Sequence, residues 1–170
     1  MAVRSTLASS SSLDLFPAAT RGSVEAIFLA GARGAPRTAV EHVRAVAGSG
    51  LEGDRYFGHR RGGAKRDPER QVTLIEAEAV DAVRATGAAL APGDARRNVV
   101  TRGVRLNELV GRTFRLGGAL LRGIERCDPC SRLTRLTYRG VERDLRDRGG
   151  LRAEILESGD IRVGDVVEVE

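Results

Sequence analysis

The sequence predicts a mainly β protein, a closed or half-closed β-barrel with a few short helices. Three observations lead there. The apolar runs are short, of strand length, and several alternate with polar residues. The 21 glycines fall largely in turn clusters between those runs. Only residues 76–86 hold a clear helical period. Many short strands, glycine turns and few helices are the signature of a barrel.

Taken in order, residues 23–30 (SVEAIFLA) alternate and then become continuously apolar, as a half-buried strand does. Residues 31–36 are a turn cluster ending in Pro36, and residues 40–47 (VEHVRAVA) are the second strand, ended by Gly48-Ser49-Gly50. Residues 51–70 form a long polar loop with Gly53, Gly58, Gly62, Gly63 and Pro68. A loop that long inside a compact domain is expected to be functional or disordered. Residues 71–75 (QVTLI) are a strand. In the helix that follows, Ala79, Val80 and Val83 share one face, Glu76 and Glu78 occupy the first turn, and Gly87 is placed to cap the end. Residues 98–101 are a strand and 106–110 one helical turn. Residues 113–116 and 119–124 form a hairpin about Gly117-Gly118. Residues 128–138 are expected to be helical with Pro129 at the first position, and 139–148 helical in part. Residues 151–156 and 166–169 are strands, joined by a turn through Ser158-Gly159-Asp160 and Gly164-Asp165. No repeat and no second domain is visible.

A chain of 170 residues is of one-domain size. Residues 1–22, rich in Ser and Ala, read as a disordered extension, and residues 23–170 as the domain. With 41% apolar and 30% charged residues the composition is that of a soluble globular protein. No run approaches the roughly 18–20 apolar residues of a membrane span, and Leu13-Asp14-Leu15-Phe16 is too short and too polar for a signal-peptide core. A cytoplasmic protein without a membrane partner is expected. The charge of +5 is carried by arginine, since Lys65 is the only lysine. Arginine grips phosphates and oxyanions in a fork. Nucleic acid is disfavoured as a partner, because four Phe, two Tyr and no Trp leave little to stack on bases.

Four constellations could carry chemistry. In Arg126-Cys127-Asp128-Pro129-Cys130-Ser131, two neighbouring thiols suggest redox, metal or nucleophile chemistry. The segment leaves a hairpin, not the βαβ unit a thioredoxin-like motif needs. A zinc site would have to use both cysteines with His42 and His59. Starting a helix at Pro129 would put Cys130 in its first turn, where amides and the neighbouring Arg126 and Arg132 favour a thiolate. Such a thiolate suits a soft metal or a sulfur-transfer step. In Gly50-Leu51-Glu52-Gly53-Asp54-Arg55, Gly53 permits a tight turn and Asp54 can accept from its own loop amides. Arg55, His59, Arg60, Arg61, Lys65, Arg66 and Arg70 on the same loop are either a solvated face or an electrostatic lip for an anion. In Arg96-Arg97-Asn98, the amide either meets a ring edge or ties down a turn. Gly149-Gly150 permits close backbone approach or positive φ.

In their order and spacing these elements resemble the molybdenum-cofactor sulfurase C-terminal (MOSC) domain family. The matching residues are Gly50-Leu51-Glu52-Gly53-Asp54, Arg70-Gln71-Val72-Thr73-Leu74-Ile75, Arg97-Asn98, Leu109-Val110-Gly111 with Phe114, Pro129-Cys130, Gly149-Gly150, and Gly159 with Ile161 and Gly164-Asp165. The resemblance implies a β-barrel like the one in pyruvate kinase. It also implies one constant cysteine, which falls on Cys130, as ligand to the molybdenum of a molybdopterin cofactor. By the same resemblance Gly53, Asp54, Arg55, His59, Arg70, Arg97, Asn98, Gly149 and Gly150 would hold that cofactor. Stand-alone relatives reduce N-hydroxylated bases and amidoximes, so a small-molecule N–O substrate and a separate electron donor protein are expected. The alternative is a sulfur carrier, with a persulfide on Cys130 fed by a separate sulfur donor. The pyridoxal-phosphate sulfurase domain found in some longer relatives is not expected in this chain. Cys127 takes no family role.

Overall fold

The computed structural model describes residues 21–61 and 65–170. The extension expected over 1–22 therefore lies, up to residue 20, outside the described residues. The strands are β1 (Arg21–Leu29), β2 (Thr38–Val40), β3 (His42–Val46), β4 (Gly50–Leu51), β5 (Arg60–Arg61), β6 (Lys65–Arg66), β7 (Val72–Glu76), β8 (Val99–Arg102), β9 (Thr113–Leu116), β10 (Ala119–Arg126), β11 (Leu151–Glu157), β12 (Gly159–Arg162) and β13 (Val166–Val169). The helices are α1 (Ala77–Ala85), α2 (Ser131–Leu136) and α3 (Val141–Asp144). Strands β1, β13, β9, β10, β11, β7 and β8 close on one another in that order. Every pairing round the ring is antiparallel except β7 with β8. Closure removes the open edges that invite aggregation. It is helped by register shifts in β1 and β10, where bulges add local twist.

The strands alternate as their sequences predict. Leu74 of β7 and Val99 of β8 point into the barrel with Phe114, Leu116, Leu121 and Ile155. Their neighbours Ile75 and Val100 point outward under Ala79, Val80 and Val83 of α1, with Leu133 of α2 and Leu145 completing this outer core. Both faces of β7 and β8 are buried, which is why QVTLI lacks polar alternation. The hairpin about Gly117-Gly118 joins β9 to β10 as expected, with Leu116 opposite Ala119.

Three expectations differ. The strand over 40–47 is two strands that part at Glu41, because β2 continues along β1 while β3 pairs with β12. The turn expected through 158–160 is itself strand β12, and its Ile161 is fully buried in the barrel. The helix expected from Pro129 begins at Ser131 and ends at Leu136. Cys130 is its N-cap, with extended backbone (φ −133°, ψ 167°), and lies before the first turn instead of inside it.

Candidate functional site

One region of the barrel collects residues singled out by the sequence. There Ile27 of β1 lies opposite Val99 of β8, Val99 opposite Leu74 of β7, Leu74 opposite Leu151 of β11, and Leu151 opposite Arg126 of β10. A cleft of about 220 Å³ opens in this region. It is lined by both cysteines, by Tyr56, Thr73, Asn98 and Leu133, and by seven arginines. The thiol of Cys130 is exposed and that of Cys127 buried.

Arg97 organises the cysteine segment. Its Nε donates to the Gly149 carbonyl at 2.8 Å, Nη2 to the Cys127 carbonyl at 2.7 Å and Nη1 to the Ala95 carbonyl at 3.1 Å. Gly149 and Gly150 let the strands meet that closely. A Cβ on Gly149 would lie 2.6 Å from the Cys127 carbonyl oxygen and 2.7 Å from Pro129 Cδ. On Gly150, whose φ is +113°, it would lie 2.0 Å from the Leu74 carbonyl oxygen. The paired glycines thus seat the Pro129-Cys130 segment by what they lack.

Asn98 lines the cleft, and Asp54 lies behind it, hydrogen-bonded to its amide. The Asp54 carboxylate accepts from the Ala30 and Tyr56 amides and from Asn98 Nδ2, each at 3.1 Å, and from Arg37 Nη1 at 3.4 Å. Asn98 Nδ2 also donates to the Phe28 carbonyl, and its Oδ1 accepts from the Thr73 amide and hydroxyl. Both groups are buried and turned inward, so they shape the cleft; the Asn98 amide has spent its hydrogen bonds on the turn and cannot read a ring edge. Gly53, at φ +84°, makes the turn that delivers Asp54.

The arginines give the cleft its character. Arg37 is tied to Asp54, Arg70 to Asp67 and Arg152 to Glu125. Among the described residues Arg55, Arg96, Arg97 and Arg132 have no carboxylate partner. Burial, opposed by Asp54 and reinforced by Arg96 and Arg55, holds the Arg37 guanidinium below its ordinary range. Burial and the charges of Arg132 and Arg55 do the same to Arg96. These cations are crowded and under-compensated, a state that an anion relieves. The Arg55 and Arg70 guanidiniums both lie over the Tyr56 ring, at 4.0 and 5.2 Å from its centroid. His59 does not line the cleft. It borders an adjoining basin of about 670 Å³ with Arg33, and the basin shares Arg55, Tyr56, Arg70 and Arg132 with the cleft. The loop after Leu51 therefore borders the Cys130 cleft, as the electrostatic lip requires. No three His, Cys, Asp or Glu side chains converge on a metal position among the described residues, which disposes of the zinc arrangement.

A family model described as the MOSC domain matches residues 52–168. The chain belongs to the MOSC family. No curated protein matches it at significance. Among solved structures, the YuaD protein from Bacillus subtilis superposes with a TM-score of 0.75 at 17% identity, over 89% of this chain and 96% of that one. YiiM from Geobacillus stearothermophilus does so at 0.65 and 15% identity, over 88% and 75%. YiiM from Escherichia coli does so at 0.61 and 18%, over 87% and 69%. These likenesses establish the MOSC fold. Of the cleft's residues, Arg37, Tyr56, Arg96, Arg132 and Arg152 were not among the site residues expected from sequence. Arg96 belongs to the Arg96-Arg97-Asn98 constellation just before β8, whereas Arg152, in β11, and Arg37, just before β2, carried no signal in the sequence.

Proposed function

We propose that this MOSC domain holds a molybdopterin-type cofactor with Cys130 as a thiolate ligand, and reduces small N-hydroxylated compounds. The observation that carries this reading is an exposed thiol at the edge of a cleft lined by seven arginines. The residues fit such a group. Among the described residues, Arg37 Nε and Arg55 Nε are buried without a hydrogen-bond partner, so the cleft has donors to spare for a phosphate. One thiolate without other converging ligands suits a metal that arrives with its remaining ligands on an organic cofactor. The cleft alone is below the roughly 300–1,000 Å³ of organic-ligand pockets, and the basin it joins supplies the rest.

Bound there, the cofactor would supply a metal centre able to accept an oxygen atom. The chain's own residues bind and orient. Arg96 and Arg132 pair with the anionic end, Arg55 and Tyr56 close one wall, and Arg97 holds the cysteine segment still through backbone carbonyls. No carboxylate or imidazole lines the cleft among the described residues, so its arginines act as fixed charges and not as proton shuttles. Overall, R–NHOH with two electrons and two protons gives R–NH2 and water, the electrons coming from a separate donor protein. The test is molybdenum content and pterin fluorescence of protein made in a host that synthesises the cofactor. Near-stoichiometric molybdenum, lost in Cys130→Ser, is the expected result. Folded protein free of both molybdenum and pterin overturns the reading.

A further inference from the structure

A second hollow, lined by neither cysteine, opens beside the outer core where Phe28 packs. We propose that it binds a small monocarboxylate with a compact apolar body, an aromatic acid of benzoate size, with Arg96 as the carboxylate's partner. The proposal rests neither on Cys130 nor on the pterin cofactor.

Size and lining come first. The hollow measures about 330 Å³, within the roughly 300–1,000 Å³ of organic-ligand pockets. Its walls are apolar: Phe28 of β1, Pro36 shortly before β2, Pro92, and Leu136 at the end of α2. Leu136 is 46% exposed, so apolar surface is left for a ligand to cover. Gly93 lets the Phe28 ring sit close against the chain, since a Cβ there would lie 3.0 Å from the ring's Cε1.

The charges set what the hollow can take. Arg37 and Arg96 line it as well as the cleft, so they stand between the two. The Arg37 head is committed, with Nη1 donating to Asp54 and Nη2 to the Arg96 carbonyl at 2.8 Å. Among the described residues Arg96 has no carboxylate partner, and its guanidinium donates one hydrogen bond, from Nη2 to the Ala35 carbonyl at 3.3 Å. Its backbone is held at φ +60°, a left-handed conformation unfavourable for a bulky side chain and typical of positions kept for a site. Asp94, also on the hollow, is exposed and accepts from the Ala91 amide at 2.9 Å. One free guanidinium near one solvated carboxylate suits a single negative charge and disfavours a dianion. A carboxylate can take two parallel N–H bonds from that guanidinium. The apolar walls disfavour a bare inorganic anion, which would lose water there and gain little. An apolar hollow with one convergent cation is the make-up of a site for an organic acid.

The experiment follows the backbone amides of the full-length, isotope-labelled chain by NMR as benzoate is added. Saturable shifts centred on Gly93, Arg96 and Leu136 are expected. Benzyl alcohol keeps the ring and loses the charge, and acetate keeps the charge and loses the ring. Each should bind about tenfold more weakly than benzoate. Arg96→Gln and Leu136→Glu should each weaken benzoate about tenfold with an unchanged melting temperature. No saturable shift at these amides overturns the proposal, as does benzyl alcohol binding as tightly as benzoate, or an affinity unmoved in both variants. Shifts centred on Thr73 and Cys130 would put the acid in the cleft and overturn it equally. Neither molybdenum nor pterin enters the titration, so its failure is distinct from a failure of the cofactor reading.

Discussion

Replacing Asp54 by alanine tests whether the hydrogen-bond network behind the cleft is structural. The carboxylate is 8% exposed and accepts four hydrogen bonds, from the Ala30 and Tyr56 amides, Asn98 Nδ2 and Arg37 Nη1. Asp54→Ala leaves Arg37 as a buried cation without its counter-ion. Removing one partner of a buried pair costs about 3–5 kcal/mol. Each orphaned buried donor costs about 1–3 kcal/mol more, less than additively within one network. A loss of about 5 kcal/mol is therefore expected, a large part of the roughly 5–15 kcal/mol available to a domain. At about 2–4 °C per kcal/mol for a chain of this length, the melting temperature should fall by roughly 10–20 °C. Urea unfolding followed by circular dichroism measures the loss directly. Adding Arg37→Leu removes the stranded charge, so the double variant should recover about 2 kcal/mol relative to the sum of the single changes. A single variant within about 1 kcal/mol of the parent, or a cycle with no coupling, would refute the reasoning.

Cys130→Ser should abolish N–O reduction and molybdenum retention while leaving the melting temperature nearly unchanged, because that side chain is exposed. Cys127→Ser should keep most activity, and mild oxidation of the parent should give no internal disulfide by thiol titration. Gly150→Ala should destabilise by about 3 kcal/mol or prevent folding, since it combines φ +113° with a Cβ 2.0 Å from the Leu74 carbonyl oxygen; soluble expression and urea midpoint decide it. The Tyr138 phenol is pushed up to about 12, by burial first and then by its hydrogen bond to Asp144 Oδ2. Its raised folded value means its contribution is fully present below about pH 10 and is lost as pH climbs towards 12. Tyr138→Phe should flatten the stability profile in that window, and an unchanged slope would count against the contact.

The barrel was legible because strand alternation and turn chemistry are local. SVEAIFLA, QVTLI and the Gly117-Gly118 hairpin each declare their face within a few residues, and burial follows from that period. Cys130 stands out from Cys127 in the sequence only through the register of Pro129-Cys130 against the rest of the family's motifs, and the structure places it exposed on the cleft. Three further features were not legible, each for a physical reason. Strand β12 hides as a turn because its pairing with β3 joins residues more than a hundred apart in the chain. The helix starts after Cys130 because packing of Pro129 against Gly149, not propensity, sets its entry. Asn98 and Asp54 turn inward, where Phe28, Ala30, Arg37, Tyr56 and Thr73, from widely separated parts of the chain, take up their hydrogen bonds.

From composition and pattern alone come the fold class, the surplus of arginine over lysine and the pair of thiols, all properties of residues near one another in the chain. Only closure of the barrel decided that Arg37, Arg55, Arg96 and Arg132 share one cleft with Cys130. Charge repulsion acts through space and leaves no trace along the chain, so a cationic site assembled from strand ends far apart in sequence exists only once the strands have closed.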